Sequence, residues 1–196
     1  MTATDRRTRL LDILVQQSLR FGSFKLASGQ MSDYYIDGKL TSLHPEGVNL
    51  IAREMIDLLA GQSIDAVGGV TLGGDPIVGA IAAISHEVGT PHRAFIIRKE
   101  SKGHGTGKMI EGLELDGNHS VAVIEDVVST GGSALRAIES VRATGARIAM
   151  VLTVVDRQMG AEDAFREAGL EYRFLFTRDE LLARAEALGL RPSAST

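Results

Sequence analysis

Apolar positions along this chain fall into two rhythms, one helical and one extended. Over residues 9–19 a helical spacing puts Leu11, Leu14, Val15 and Ser18 on one face. Arg6, Arg7, Arg9, Asp12 and Gln16 fall largely elsewhere, which predicts an N-terminal amphipathic helix. Residues 21–39 are polar and contain glycine, and the alternation at Tyr34-Tyr35-Ile36-Asp37 predicts a short extended segment outside the core. Pro45 and Glu46 suit a first helical turn, Val48, Ile51, Ala52, Met55 and Leu59 form its buried stripe, and Gly61 supplies the stop. Beyond that helix, apolar runs at 66–70, 94–97, 121–124, 148–155 and 172–176 read as strands buried on both faces. Helical stretches at 76–88, 133–144 and 161–168 lie between most of them. Strand alternating with helix predicts an α/β fold with a parallel sheet, whose ligands sit beyond the carboxyl ends of the strands. The segment 191–196 reads as a frayed tail.

Composition narrows the choice. With 196 residues and 44% apolar content the chain suits one packed domain and is thin for two. A net charge of −4 argues against a general nucleic-acid binder, so positive charge must act locally. The absence of cysteine excludes a disulfide framework, a thiolate metal site and a cysteine nucleophile. No signal-like apolar segment opens the chain, and no run approaches the roughly 18 to 20 apolar residues of a membrane span. The expectation is therefore a cytoplasmic protein with no membrane partner.

Two segments carry candidate chemistry. Val121 to Ile124 lead into Glu125, Asp126, Val127, Val128, Ser129, Thr130, Gly131, Gly132 and Ser133, a buried strand ending in two carboxylates and then a glycine turn opening a helix. Glycines let a backbone close around an anion, and free N–H groups at a helix start favour a phosphate. The acids would repel that phosphate and suit sugar hydroxyls instead. A phosphorylated sugar satisfies both halves; the plainer reading is a glycine-rich turn with a Ser or Thr N-cap and two solvated acids. The second segment runs from Arg98 and Lys99 through Lys102, His104 and Lys108, with glycines at 103, 105 and 107. It follows a strand directly, which suits a mobile lid over an anion better than a solvated charge run. Its Gly103-His-Gly-Thr-Gly107-Lys108-Met109 lacks the first glycine and the final Ser/Thr of a P-loop, and no G-x-G-x-x-G follows a strand.

The segment at 125–133 resembles the phosphoribosyl-pyrophosphate (PRPP) signature of type I phosphoribosyltransferases, and Arg98-Lys99-Glu100-Ser101-Lys102-Gly103-His104-Gly105 resembles the catalytic loop of the orotate phosphoribosyltransferase family. The likeness extends in order over roughly residues 20 to 160, through Phe21-Gly-Ser-Phe24, Ser28-Gly29, Ser32 to Asp37, Gly69 to Pro76 and Asp156-Arg157-Gln158. It implies a type I phosphoribosyltransferase fold, with a mainly parallel sheet flanked by helices, a small N-terminal hood from about 20–40 and a flexible catalytic loop at about 99–110. It further implies transfer of phosphoribosyl from PRPP to orotate, giving orotidine 5′-monophosphate and pyrophosphate, by a homodimer with shared sites. By that resemblance Lys99 reaches PRPP in its own subunit, and Arg98, Lys102 and His104 reach the neighbouring one. Residues 125–133 cradle the ribose 5-phosphate, Thr71, Leu72, Gly73 and Gly74 lie on the pyrophosphate side, Ser129 and Arg157 hold orotate, and Tyr34 and Tyr35 cover its ring.

Two positions depart from the family pattern. Ala27 stands where many members carry a lysine, and Leu72-Gly73 stand where they carry Tyr-Lys, leaving Lys25 and Lys39 as candidate substitutes. His44, His86, His92 and His119 lack mutual ligand spacing, so the expectation is no direct protein metal ligand and a Mg²⁺ ion held mainly by PRPP. Two alternatives remain: a PRPP-sensing nucleic-acid-binding regulator, which would need a basic surface, and a purine-base phosphoribosyltransferase, which the loop sequence disfavours.

Overall fold

The computed structural model describes residues 2–25, 29, 31–99 and 108–190. Helix α1 (Ala3–Ile13) starts earlier than the apolar spacing predicts, because Thr2 and Asp5 form a reciprocal capping box. It also ends earlier. Leu14–Ser18 form one π-helical turn whose wider winding lets Ile13, Leu14 and Val15 all face inward, and Leu19 is already extended.

The polar stretch that follows departs from expectation too. β1 (Leu19–Lys25) and β2 (Met31–Ile36) pair as an antiparallel hairpin, with Leu19 opposite Ile36 and Phe21 opposite Tyr34. Leu19 and Ile36 are buried in the core rather than outside it. After the short α2 (Lys39–Ser42), α3 (Pro45–Leu59) buries the predicted Ile51, Ala52, Met55 and Leu59 together with Leu50 and Ile56, while Val48 is half-buried. His44 caps α3, its Nδ1 accepting from the Gly47 N–H at 3.2 Å.

The rest of the chain is β3 (Ala66–Val70), α4 (Gly74–Glu87), β4 (Arg93–Ile97), β5 (Ile110–Glu111), β6 (Ser120–Val128), α5 (Gly132–Arg142), β7 (Arg147–Asp156), α6 (Ala161–Glu167), β8 (Tyr172–Thr177) and α7 (Arg178–Ala187). The sheet order is β5-β4-β3-β6-β7-β8, parallel except where β5 runs against β4. Period-two alternation in the central strand splits the core: Ala122 and Ile124 join one apolar layer with Leu50, Ile81 and Leu181, and Val121 and Val123 join the other with Ile138 and Phe165. Among the described residues no helix is long and apolar enough to cross a membrane.

The outer strands are not buried on both faces: Arg93 and Ile96 are exposed in β4, and Tyr172 to Phe174 are half-buried in the edge strand β8. β6 runs past Ile124 to Val128, so Glu125 and Asp126 sit inside the strand rather than beyond it. β5, α2 and α7 were not foreseen; α7 opens on a second capping box, Thr177 with Glu180.

The end of β3 meets the start of α4 at bare backbone, since a Cβ on Gly69 would lie 2.7 Å from the carbonyl carbon of Gly74. Gly69→Ala is therefore expected to cost about 1–3 kcal/mol through overpacking. Denaturant unfolding should show a lower midpoint with an unchanged slope; an unchanged midpoint would mean that the two segments separate freely.

Candidate active site

The carboxyl end of β6 is the centre of the cleft. Glu125 is buried, and burial, followed by the adjacent Asp126 charge, pushes its carboxyl up to about 8, with Lys99 opposing. Asp126 is half-buried, and its carboxyl is also raised, first by burial; backbone hydrogen bonding and the Lys39 ammonium act the other way. Its carboxylate lies between two glycines, for a Cβ on Gly38 would stand 2.7 Å from Oδ2 and one on Gly73 only 2.1 Å from Oδ1. Lys39, whose Nζ pairs with Asp37 Oδ1 at 2.5 Å, is thereby held on the same side of the cleft.

Beyond Val128 the chain turns into α5 through Gly131, which adopts a left-handed φ of 81°. The Ser or Thr cap of the plainer reading is absent: no side chain caps this helix start, so its N–H groups face a cleft of about 140 Å³ lined by Glu125 and residues 127–134. That is the electrostatic environment a phosphate needs. A neighbouring cleft is lined by Thr71, Leu72, Asp75, Ile96, Arg98, Lys99 and Glu111. Thr71 is anchored twice to the Ile97 carbonyl, through N–H and Oγ1, each at 3.0 Å, and the Thr71-Leu72 peptide is cis. Asp75 keeps a buried Oδ1 without a hydrogen-bond partner, and burial raises its carboxyl.

At the end of β7 the Arg157 guanidinium is buried, though it is reached from the cleft by Ser129: Nη1 donates to Ser129 Oγ at 3.3 Å. The Tyr34 ring lies 5.5 Å from its Cζ, and its Nε has no partner. An orphaned, buried guanidinium N–H carries a desolvation cost of about 1–3 kcal/mol unless a ligand acceptor fills it. Tyr35 does not join this group. Strand alternation sends it to the other face of β2, where it is exposed and its ring lies 5.6 Å from that of Phe24.

Of the residues predicted from sequence, the structure thus brings together Glu125 to Ser133, Arg157 and Tyr34 on one side and Thr71 to Gly74, Arg98 and Lys99 on the other. Arg98 pairs with Glu111 at 3.7 Å. Lys102, His104, Ala27 and Ser28 lie outside the described residues. Sequence reasoning passed over Asp75 as a site residue; its signal was an acid in the first turn of a helix that begins Gly-Gly-Asp-Pro.

Comparison with known proteins agrees with this geometry. The phosphoribosyl transferase domain model matches residues 41–165. An orotate phosphoribosyltransferase from Nostoc sp. is 45% identical over 183 residues, covering 93% of this chain and 88% of that protein. The chain belongs to the orotate phosphoribosyltransferase family. Among solved structures, the Mycobacterium tuberculosis orotate phosphoribosyltransferase in complex with Fe(III) dicitrate superposes with a TM-score of 0.79 at 40% identity, covering 90% of this chain and 98% of that one. The same enzyme in complex with PRPP gives 0.75 at 36% identity, with the same coverage.

The raised Glu125 carboxyl gives the family site a pH signature. The folded protein holds a proton that the unfolded chain releases near 4.5, so this group's contribution to stability is fully present below 4.5 and is lost as pH rises through about 8. Glu125→Gln should therefore raise the melting temperature of the ligand-free protein above wild type at about pH 8.5 and change it little at about pH 5. Parallel melting curves for the two proteins across that range would contradict the assignment.

Proposed function

We propose that this protein transfers the 5-phosphoribosyl group of PRPP to orotate, yielding orotidine 5′-monophosphate and pyrophosphate in de novo pyrimidine biosynthesis in the cytoplasm. The observation that carries the proposal is the placement of a buried arginine with an unfilled N–H beside an uncapped helix start and a pair of carboxylates. A planar guanidinium suits the orotate carboxylate and adjoining ring carbonyl, with Ser129 and the Tyr34 ring beside it. The N–H groups at 129–133 take the 5-phosphate, and Glu125 and Asp126 accept from the ribose hydroxyls. Thr71 to Gly74 and Lys99 face the pyrophosphate.

Orotate N1 gives up its proton to solvent and forms its bond to ribose C1′ as the bond from C1′ to the pyrophosphate oxygen breaks, and the electron pair of that broken bond leaves with pyrophosphate. No residue becomes covalently attached. The chain aligns the two reactants and places positive groups over the leaving group, which is proximity and electrostatic stabilisation. Arg98, Lys102 and His104 close over PRPP from the partner of a homodimer, His104 as a hydrogen-bond donor. The exposed Leu40, Leu43 and Leu72 on the segments flanking Asp126 supply apolar surface of the kind a dimer covers.

Among the described residues no group of three or more His, Asp and Glu side chains is arranged to hold a metal. The donor set nevertheless fits Mg²⁺ carried in on PRPP, because Glu125 and Asp126 are disfavoured as anions by burial and a nearby dication offsets that. When bound, Mg²⁺ neutralises charge on the departing pyrophosphate.

The direct test supplies PRPP and Mg²⁺ with orotate, adenine or hypoxanthine in turn. Consumption of orotate alone is expected, and turnover of a purine base instead would overturn the proposal. Arg157→Ala should weaken orotate binding by about 2 to 4 kcal/mol while largely sparing PRPP; equal loss of both ligands in calorimetric titration would contradict the assignment. Shared sites predict complementation between Lys102→Ala and Asp126→Asn. Mixed in equal amounts with subunit exchange verified, the two inactive proteins should recover about a quarter of wild-type site activity, since half the dimers are hybrids with one sound site each. Absence of recovery in proven hybrids would return the lid to its own subunit.

A further inference from the structure

We propose that Arg136, one turn into α5, binds the 5-phosphate of the sugar substrate and supplies the positive charge that the phosphate-binding turn lacks. The proposal rests on the reading above that residues 129–133 take that phosphate. A phosphate monoester carries about two negative charges near neutral pH. The cleft that would hold it, lined by Glu125 and residues 127–134, contains one carboxyl and no lysine or arginine. The N–H groups of a helix start provide only roughly half an elementary charge. Arg157 reaches the turn at Ser129, its far end, and is committed to the base. A cation from elsewhere must complete the balance.

Arg136 is placed to supply it. Helical side chains lean toward the N-terminus, so a residue four positions after Gly132 overhangs the first turn. Its Nη2 donates to Ser133 Oγ at 3.3 Å, and a Cβ on Gly132 would stand 3.6 Å from its Nη1 and 3.9 Å from Thr130 Oγ1. The guanidinium and the Thr130 hydroxyl thus converge on the open face of Gly132. Glu139, three residues further along α5, has the spacing to draw Arg136 the other way, yet it pairs with Arg142 at 2.9 Å. Among the described residues no carboxylate pairs with Arg136. The helix dipole disfavours a cation over a helix start, and an anion bound between the two reverses the sign of that interaction. Ser133 also forms the wall between the phosphate cleft and a second cavity of about 290 Å³, lined by Arg98, Lys99, Met109, Arg136 and Ala137 as well. Arg136 therefore stands between the 5-phosphate and the cations that face pyrophosphate, and its hold on Ser133 assigns it to the 5-phosphate.

The test measures the affinities of ribose 5-phosphate, of pyrophosphate with Mg²⁺ and of orotate by calorimetry, beside the KM for PRPP and melting temperatures. Arg136 and Thr130 are both exposed, so their variants are expected to fold. Arg136→Gln should weaken ribose 5-phosphate by about tenfold, leave pyrophosphate and orotate within about twofold, and keep the wild-type melting temperature. The KM for PRPP should rise with it. Arg136→Lys, which keeps the charge but not the planar fork, should recover part of the loss. Thr130→Val removes a donor from the turn itself and serves as the control for the underlying reading. Weaker ribose 5-phosphate binding in Thr130→Val with none in Arg136→Gln would overturn the proposal and leave that reading standing. A loss in Arg136→Gln that falls equally on pyrophosphate, or on pyrophosphate alone, would overturn it too, because Arg136 would then belong with Arg98 and Lys99. If both variants bind ribose 5-phosphate as wild type does, the placement of the phosphate at 129–133 falls, and the proposal with it.

Discussion

Two backbone segments approach the end of β6 closely enough that neither has room for a side chain there, and the cleft exists because of that approach. Gly38 and Gly73 flank the Asp126 carboxylate, and a Cβ on Gly74 would lie 2.6 Å from the Ile124 carbonyl oxygen. At Gly73 the space into which a side chain would grow is filled by Asp126. The Lys39 ammonium, paired with Asp37, acts on Asp126 from the start of α2.

This packing sets the electrostatics. Two carboxylates in a buried strand cost free energy as anions, which the raised Glu125 and Asp126 register. Lys39 and Lys99 face them, and Arg157 and the open start of α5 lie just beyond. An acidic protein, with a net charge of −4, thus builds a cleft in which positive and negative groups alternate over a short distance. A phosphorylated sugar presents the same alternation of hydroxyl and phosphate, and this complementarity ties the fold to its ligand class.

Much of this was legible in the sequence. The five principal strands, the stripe of α3 and the glycine turn after β6 follow from periodicity and local chemistry, since buried parallel strands and amphipathic helices impose those patterns. What escaped depends on tertiary contact. The hairpin has few apolar positions, and only its pairing buries Leu19 and Ile36. Helix α7 is crowded with charge, and its recognition required seeing Thr177 and Glu180 cap one another. The burial of Glu125 was hidden because β6 continues past its apolar run, so composition suggested a strand end where the ladder with β7 goes on to Asp156. Tyr34 and Tyr35 are neighbours in sequence, yet only the pleat decides which of them meets Arg157.

In the proposed reaction the ends of β6 and β7 divide the work between them, the sugar phosphate on the first and the nucleobase on the second. A crystal structure with orotate and PRPP bound in a catalytically stalled variant tests this most directly. An orotate oxygen is expected within hydrogen-bonding distance of Arg157 Nε, the 5-phosphate on the N–H groups at 129–133, and the ribose hydroxyls on Glu125 and Asp126. Orotate bound elsewhere, with Arg157 Nε still unpaired, would contradict it.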